Sequence, residues 1–195
     1  MFNGIIYNQG KISKILKRPK GINIFVKSNF KLKKKDIGLS IACDGVCLTL
    51  ISFKSKLMEF YLSNETLVRS KFKFLKTNDI INLELPLKYG TKISGHICQG
   101  HVDTVAKVKK IIIKDKAWIV KFQIHDKKFS KYVVDKASIT INGVSLTVSK
   151  VSDNFFEINI IPHSLKLTNL KNLKINDVVN VELDIFSKYI YKYSN

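Results

Sequence analysis

The sequence of the first half of this chain is repeated, with substitutions, in the second half. The segment SIACDGVCLTL (residues 40–50) is matched by SITINGVSLTV (138–148), and LKTNDIINLEL (75–85) by LKINDVVNVEL (173–183), both at an offset of 98 positions. NETL (64–67) lies over PHSL (162–165) at that offset, whereas GIIYNQGKISKI (4–15) matches GHVDTVAKVKKI (100–111) at an offset of 96. A difference of two is an ordinary change in loop length. The chain is therefore two homologous units, and one fold must suit both.

Each unit has the pattern of a small β domain. Short segments rich in Ile, Val, Phe and Thr predict strands at residues 22–26, 46–52, 57–62, 80–85, 118–124 and 178–183, and the opening MFNGIIYNQGK also predicts a first strand. Turn residues such as NQG, CDG, TND, ING, SDN and IND separate the segments. Several short strands in so small a unit indicate an antiparallel barrel, which pairs its own edges.

The tail DIFSKYIYKY (184–193) has no counterpart in the first half. Its apolar residues at 185, 186, 189, 190 and 193 have helical spacing, so a short amphipathic helix is predicted, and its apolar face needs a partner surface. We therefore predict an all-β chain with barrels at residues 1–96 and 97–184, followed by a C-terminal helix at 185–195 that joins chains together.

Composition restricts the function less than the repeat does. The net charge of +19 would attract anionic partners, but the Lys residues are scattered except for KLKKKD (31–36), which favours a solvated basic surface over a nucleic-acid site. No stretch approaches the roughly 18 apolar residues of a membrane helix, and no basic region precedes the apolar start as in a signal peptide. Three cysteines without a secreted-domain pattern predict a reducing, cytoplasmic location.

The repeated phrase carries small reactive side chains. Residues two apart on a strand share a face, so Cys47 and Thr49 point the same way, as do Ser145 and Thr147. Cys47 could simply be a small core residue, but small polar groups at both repeats favour a functional role. In GHICQGHVD (95–103), His101 stands where the first half has Ile5, so only one unit carries an imidazole there. A histidine exchanges protons near neutral pH, although it could also be a structural hydrogen-bonding residue.

Zinc was the other chemistry to consider. Cys43, Cys47, His96, Cys98 and His101 are potential ligands, but Cys43 and Cys47 would lie about 13 Å apart if they shared one extended strand. That separation is too long for one tetrahedral metal or for a disulfide, so we predict no metal.

The motifs of this chain closely resemble those of the riboflavin synthase family, of the α-subunit type with lumazine-binding repeats. The resemblance rests on MFNGI at the start, DGVCLT and NGVSLT, GHICQGHVD, IPHSLKLTNL, and the paired NDIINLE and NDVVNVE, and it covers essentially the whole chain. It implies two six-stranded Greek-key barrels in tandem plus a C-terminal helix, assembled as a homotrimer. It also implies a dismutation in which one 6,7-dimethyl-8-ribityllumazine passes a four-carbon unit to another, giving riboflavin and 5-amino-6-ribitylaminouracil without an added cofactor.

The resemblance also implies the binding residues. Each barrel would bind one lumazine, with the working site between the N-terminal barrel of one chain and the C-terminal barrel of its neighbour. The first-barrel segments are Gly4, Ile5 and Ile6; Cys47, Leu48 and Thr49; and Tyr61, Leu62, Ser63, Asn64, Glu65 and Thr66. The second-barrel segments are Gly100, His101 and Val102; Ser145, Leu146 and Thr147; and Asn159, Ile160, Ile161, Pro162, His163 and Ser164, with Lys136 reaching from the adjacent chain.

A reaction between two copies of one molecule needs two similar but chemically unlike pockets, which a duplicated and then edited barrel supplies. We expect the hydroxyls of Thr49, Thr66, Thr147 and Ser164 to hold the ribityl chains. We expect His101 and Ser145 to assist proton removal from the C7 methyl group of the donor, and Cys47 to assist addition or proton movement on the acceptor. Contact with lumazine synthase is a further expectation from the family.

The chain departs from the family pattern at three positions. Asn3 replaces the usual Thr of the start, and the Asn and Asp of the two turns are exchanged at Asp44 and Asn142, so no role for a carboxylate carries over to position 142. Two alternatives to the enzyme are a relative that only binds lumazine or flavin, and a basic barrel that binds single-stranded nucleic acid on exposed aromatics. Most Phe residues here lie in apolar strand contexts, which argues against the second alternative.

Overall fold

Each half of the chain forms a closed antiparallel barrel of six strands in a computed structural model that describes residues 1–194. The first barrel comprises β1 (Asn8–Arg18), β2 (Gly21–Lys27), β3 (Ser40–Cys43), β4 (Val46–Lys54), β5 (Leu57–Ser63) and β6 (Ile80–Glu84). The second comprises β7 (Thr104–Lys114), β8 (Ala117–Ile124), β9 (Ser138–Ile141), β10 (Val144–Ser152), β11 (Phe155–Ile160) and β12 (Val178–Leu183). Three short helices follow β5, β11 and β12, namely α1 (Asn64–Arg69), α2 (Pro162–Leu167) and α3 (Ile185–Ser194).

Both barrels have the same Greek-key order. The strands run β1-β2-β5-β4-β3-β6 around the first barrel and β7-β8-β11-β10-β9-β12 around the second. In the first barrel β3, β4 and β5 are linked by hairpins, and β6 returns to lie beside β3, which is the Greek-key arrangement. The second barrel repeats it with β9, β10, β11 and β12. The predicted all-β fold of two tandem barrels with a C-terminal helix is confirmed, and the six named strand segments lie on strands except for Leu85, which follows the end of β6.

The alternating pattern of the strands fills two separate cores. Side chains of β4 alternate between buried and more exposed from Val46 to Leu50, which is the period-two pattern of a strand that covers a core on one face. Phe60 and Phe72 are among the largest side chains in the first core, and the stacked rings of Phe122 and Phe156, 5.2 Å between centroids, lie in the second.

Two matching hairpin turns meet where the barrels touch. Asp44 and Gly45 link β3 to β4 with φ angles of 45° and 79°, and Asn142 and Gly143 link β9 to β10 with 47° and 79°. Positive φ at both turn residues is the requirement of a tight hairpin of this type, which Asp-Gly and Asn-Gly satisfy. A Cβ on Gly45 would lie 2.8 Å from the backbone nitrogen of Gly143, so the two turns pack backbone against backbone.

This hairpin corrects one prediction. Cys43 and Cys47 do not lie along one extended strand, because the chain reverses at Asp44 and pairs Ala42 with Cys47. Cys43 is buried inside the first barrel, whereas Cys47 contacts the small cluster of Phe2, Ala42 and Cys98 between the barrels. Within residues 1–194, no three His, Cys, Asp or Glu side chains are arranged to hold a metal ion.

A buried polar network surrounds the two turns and joins the barrels. Asn169 donates its side-chain amide to Oδ1 of Asp44 at 2.9 Å, and its backbone N–H to Asn82 at 2.8 Å. Asn180 donates to the carbonyl of Asp44 at 2.9 Å, and Asn82 donates to the carbonyl of Asn142 at 2.9 Å. Because each bond crosses from one unit to the other, the network fixes how the barrels sit against each other.

The exchanged residues of the turns now have a physical explanation. Asp44 is fully buried, and Nζ of Lys71 lies 2.6 Å from its Oδ2. The position equivalent to Lys71 in the second unit is Asn169, and the position equivalent to Asp44 is Asn142, so that unit is neutral at both places. Burial raises the pKa of Asp44, while the Lys71 ammonium opposes that rise. The acidic and basic residues therefore belong together in the first unit.

Replacing Lys71 by Met should destabilise the fold by about 3 kcal/mol at pH 8, because it leaves a charged carboxylate buried without its counter-ion. The loss should shrink as pH falls through the raised pKa of Asp44, since protonation then removes the unpaired charge. Urea unfolding at several pH values measures both effects. The matched control is Asp44→Asn with Lys71→Asn, which copies the neutral second unit and should stay within about 1 kcal/mol of the parent chain. Equal losses in the two variants would contradict this explanation.

The two chain ends differ in how well they were predicted. The C-terminal helix is confirmed as α3, although Asn195 lies outside the described residues. The prediction that the opening residues form the first strand is wrong for residues 1–7, because β1 begins only at Asn8. Phe2 instead makes an isolated bridge to Cys98. Among residues 1–194, no helix has the length and apolar character needed to cross a membrane.

Candidate functional site

Two arms cross between the barrels, and they bring several of the predicted site residues together. The N-terminal arm (residues 1–7) precedes β1, and the central arm (residues 95–103) precedes β7. They run side by side, with the N–H of Phe2 donating to the carbonyl of Cys98 at 2.8 Å and the N–H of Cys98 donating to the carbonyl of Phe2 at 3.0 Å. Each arm bonds to both barrels: the N-terminal arm contacts Glu84 of the first and Ser145 of the second, and the central arm contacts Glu182 of the second and Cys47 of the first.

The N-terminal arm completes the second barrel. The carbonyl of Gly4 accepts the N–H of Ser145 at 2.8 Å, and a Cβ on Gly4 would lie only 2.6 Å from the Cβ of Ser145. Two residues later, Ile6 is buried in the second hydrophobic core. Asn3 supports this path, because its Oδ1 accepts the N–H of Ile5 at 3.1 Å.

The central arm completes the first barrel in the same way. The carbonyl of Gly100 accepts the N–H of Cys47 at 2.8 Å, and a Cβ on Gly100 would lie 2.6 Å from the Cβ of Cys47. Val102 packs against the first core, as Ile6 packs against the second. The predicted grouping by unit is therefore wrong: residues 4–6 join Ser145, and residues 100–102 join Cys47.

The remaining predicted segments lie where a strand gives way to a short helix. Ser63 ends β5 and caps α1, because its Oγ accepts the N–H of Thr66 at 3.2 Å. In the second unit Pro162 begins α2, where the missing N–H of proline costs nothing. The side chains of Tyr61, Asn64, Glu65, Asn159, Ile161 and His163 are exposed, as are those of Thr49 and Thr147 on the neighbouring strands. These open faces are where a second surface could cover a bound molecule.

The second-barrel pocket contains an unexpected partner for Ser145. Nδ1 of His96 lies 2.7 Å from the Ser145 hydroxyl, and Nε2 lies 3.2 Å from the hydroxyl of Thr140. Burial lowers the pKa of His96, and the nearby Asp184 carboxylate opposes that effect. The lowered pKa favours the neutral ring, and an unprotonated ring nitrogen can accept the hydrogen of the Ser145 hydroxyl. Sequence analysis had considered His96 only as a metal ligand.

The other predicted catalytic groups lie at the first-barrel pocket. His101 is exposed and follows Gly100, whose carbonyl is held by Cys47, so within one chain His101 belongs with Cys47 and not with Ser145. The Cys47 thiol is half-buried beside Phe2 and Cys98. Burial raises the pKa of Cys98 to about 12, so Cys98 stays a thiol and is a poor nucleophile.

Two buried carboxylates hold the arms, and the sequence analysis missed them. Glu84 on β6 accepts the N–H groups of Asn3 and Gly4 at 2.8 and 3.1 Å. Glu182 on β12 accepts those of Gln99 and Gly100 at 2.5 and 3.0 Å. Both occupy the same place in the repeats INLEL and VNVEL, and that coincidence was the available signal.

Lys136 and a separate cleft lie apart from these residues. Lys136 is exposed just before β9, and its N–H donates to the carbonyl of Val148 at 2.9 Å, so its predicted reach into another chain stays a prediction. A cleft of about 590 Å³ lies between the barrels near Leu75 and Leu173, and none of the predicted site residues lines it.

Comparison with known proteins gives this geometry a context. The sequence profile of the family called lumazine binding domain matches residues 3–86 and 99–184. A riboflavin synthase from Actinobacillus pleuropneumoniae is 37% identical over 193 residues, covering 99% of this chain and 89% of the relative. A riboflavin synthase from Escherichia coli (strain K12) is 32% identical over 185 residues, covering 94% of this chain and 87% of the relative.

Solved structures show the same fold. LumP complexed with riboflavin is 26% identical with a TM-score of 0.82, covering 94% of this chain and 99% of that one. LumP complexed with 6,7-dimethyl-8-(1'-D-ribityl) lumazine is 24% identical with a TM-score of 0.80, covering 93% of this chain and 98% of that one. The two matched profile segments each begin within an arm, so the arms belong to the repeating unit.

Proposed function

The chain belongs to the riboflavin synthase family of lumazine-binding proteins, and we propose that it converts two molecules of 6,7-dimethyl-8-ribityllumazine into riboflavin and 5-amino-6-ribitylaminouracil. The reaction is a transfer of a four-carbon unit between two copies of one molecule, and no cofactor is part of the proposal. The observation that carries it is the pair of equivalent but unlike positions on the two barrels. Cys47 and Ser145 stand at matched places, and the N–H of each donates to the carbonyl of an arm glycine.

The two pockets must face each other for transfer to occur. Holding two reactants in register replaces a bimolecular encounter, and effective molarities of roughly 10⁵ M or more are then available. The exposed faces that carry Thr49 and Thr147 support a shared site between the first barrel of one chain and the second barrel of a neighbour. Their hydroxyls, with those of Thr66 and Ser164, would hold the ribityl chains.

The proton transfers follow from this arrangement. Ser145, hydrogen-bonded to the neutral ring of His96, would lie beside the donor lumazine and assist removal of a proton from its C7 methyl group. His101 of the facing chain would assist the same step from the opposite side. Cys47 in that facing pocket would assist addition or proton movement on the acceptor. His101 and Ser145 would thus act together only across two chains.

A site shared between neighbouring chains requires an oligomer, and the homotrimer expected from the family resemblance is the assembly we propose. Helix α3 exposes Phe186, Tyr189 and Ile190 by 59%, 54% and 66%, and a face of this kind is stabilised by a partner surface. Lys188 of the same helix binds Asp103 with N–O distances of 3.0 and 2.9 Å, so α3 is fixed to the end of the central arm, where Asp103 also accepts the N–H of Leu183 on β12. Contact with lumazine synthase and a cytoplasmic location stay predictions.

A relative that only binds lumazine or flavin is the second candidate, since the chain also resembles LumP in fold. Incubating the purified protein with 6,7-dimethyl-8-ribityllumazine separates the two. The enzyme is expected to produce the yellow absorbance and green fluorescence of riboflavin, with one riboflavin formed for every two lumazines consumed. Tight binding without any riboflavin would identify the chain as a carrier and reject the proposed reaction.

A further inference from the structure

Glu84 and Glu182 each grip two successive backbone N–H groups of an arm. Both side chains are almost fully buried, with relative exposures of 8% and 3%. Each uses one carboxylate oxygen for each N–H, so the charge is spread over two donors. Bonds from N–H groups to a charged carboxylate are about twice as strong as bonds between neutral groups.

The grip continues into the two pockets. The N–H of Gly4 donates to Glu84, and the carbonyl of Gly4 accepts the N–H of Ser145 at 2.8 Å. In the same way, the N–H of Gly100 donates to Glu182, and the carbonyl of Gly100 accepts the N–H of Cys47 at 2.8 Å. A carboxylate of one barrel is therefore connected, through a single arm residue, to a predicted catalytic residue of the other barrel.

Burying a charge at these positions is unfavourable for the fold. Burial raises the pKa of Glu84 to about 6 and that of Glu182 to about 7, against the pull of the arm N–H groups. The N-terminal ammonium faces Glu84, while Lys188 favours and Asp103 disfavours the charge on Glu182. The charges of both carboxylates also help to raise the pKa of the nearby Cys98 thiol. Both repeat units nevertheless keep a carboxylate at this place.

We propose that Glu84 and Glu182 are positioning residues for the transfer reaction, which hold the arms so that the Ser145 and Cys47 pockets keep the geometry that transfer requires. The proposal rests on the proposed function. Glu182 also places the peptide that precedes His101, so it serves the first-barrel pocket, and Glu84 serves the second.

Lowering the pH is expected to reduce turnover and to increase the stability of the fold. A protonated carboxyl loses the charge that holds two N–H groups, so turnover should fall as pH drops through about 7 and 6, the pKa values of Glu182 and Glu84. A raised folded-state pKa means that the folded chain binds these protons more tightly than the unfolded chain. Protonation should therefore stabilise the fold over the same pH range.

The test compares Glu182→Gln and Glu84→Gln with the parent chain. Glutamine keeps the size but offers a single acceptor oxygen, so kcat should fall by about tenfold to a hundredfold, the range that small misplacements produce, with little change in KM. The acid limb of the kcat profile should disappear in the double variant. The rise in urea midpoint between pH 8 and pH 5.5 should also be smaller in that variant than in the parent.

Glu59→Gln is the matched control, because Glu59 bonds to Asn23 and Ser52 on the outside of the first barrel and should leave turnover unchanged. Hydrogen exchange gives a readout that needs no catalysis: the amides of Gln99 and Gly100 should exchange faster in Glu182→Gln, and those of Asn3 and Gly4 in Glu84→Gln. Parental turnover, an unchanged acid limb or unchanged exchange in the arms would each overturn the proposal. A parent chain that makes no riboflavin would instead reject the proposed function, while hydrogen exchange would still test the grip on the arms.

Discussion

His101→Ala is expected to slow riboflavin formation by about 10²–10⁴-fold, the usual contribution of a positioned acid–base group, while lumazine binding changes little. The reason is its place: His101 is exposed directly after Gly100, at the pocket that contains Cys47. Single-turnover rates and equilibrium binding of lumazine measure the two effects separately. His125→Ala is the control, because His125 is exposed outside both predicted pockets. This variant should form riboflavin at the parental rate. Unchanged turnover in His101→Ala would remove this residue from the mechanism.

Mixing experiments extend this prediction to the assembly. If His101 of one chain works with Ser145 of its neighbour, then His101→Ala and Ser145→Ala chains should each be nearly inactive alone and should regain activity when refolded together. In a random equal mixture, about a quarter of the interfaces between neighbours would contain both original side chains. Activity near that fraction supports the shared site, whereas no recovery would place both residues in one chain's site.

Gly100→Ala is expected to reduce turnover by about 10²-fold, since a displacement of about 1 Å at a reacting centre can have that effect. The added Cβ would lie 2.6 Å from the Cβ of Cys47 and 3.0 Å from the Phe2 ring, and Gly100 has φ +78°. The central arm would therefore have to move away from the first barrel, which takes His101 with it. Steady-state kinetics and the urea midpoint measure the loss of activity and the loss of stability together.

Gly90→Ala separates crowding from backbone strain. Gly90 has the same φ of +78°, but a Cβ there would meet nothing within 4 Å. Gly90→Ala should lose only about 1–2 kcal/mol of folding stability, the strain of an alanine in the left-handed region, and should keep parental turnover. Equal losses of turnover in the two variants would show that the contact with Cys47 does not matter.

The sequence predicted the fold because its evidence was local. The period of two along β4 and the Asp-Gly and Asn-Gly turns each depend on nearby residues, and both features are present. The repeat then assigns the same fold to both halves. The exception is residues 1–7, where a first strand was predicted but Gly4 adopts a positive φ and β1 begins only at Asn8.

The site was harder to predict because it depends on where the arms go. Nothing in a repeat states that residues 4–6 pack on the other unit, so Gly4 and Ser145 were assigned to different pockets although they share a hydrogen bond. The path of the central arm brings His96 to Ser145, a pairing that no motif of the sequence specifies. The change of offset from 96 to 98 falls between β2 and β3, so it marks a difference in loop length and says nothing about the path of the arms.

The central claim is that one chain has two lumazine pockets, each completed by an arm of the other unit. The most direct measurement is the binding stoichiometry of a lumazine analogue that lacks the C7 methyl group and so cannot react, determined by calorimetric titration of the assembled protein. Two molecules bound per chain are expected. A single molecule per chain at saturation would contradict the claim.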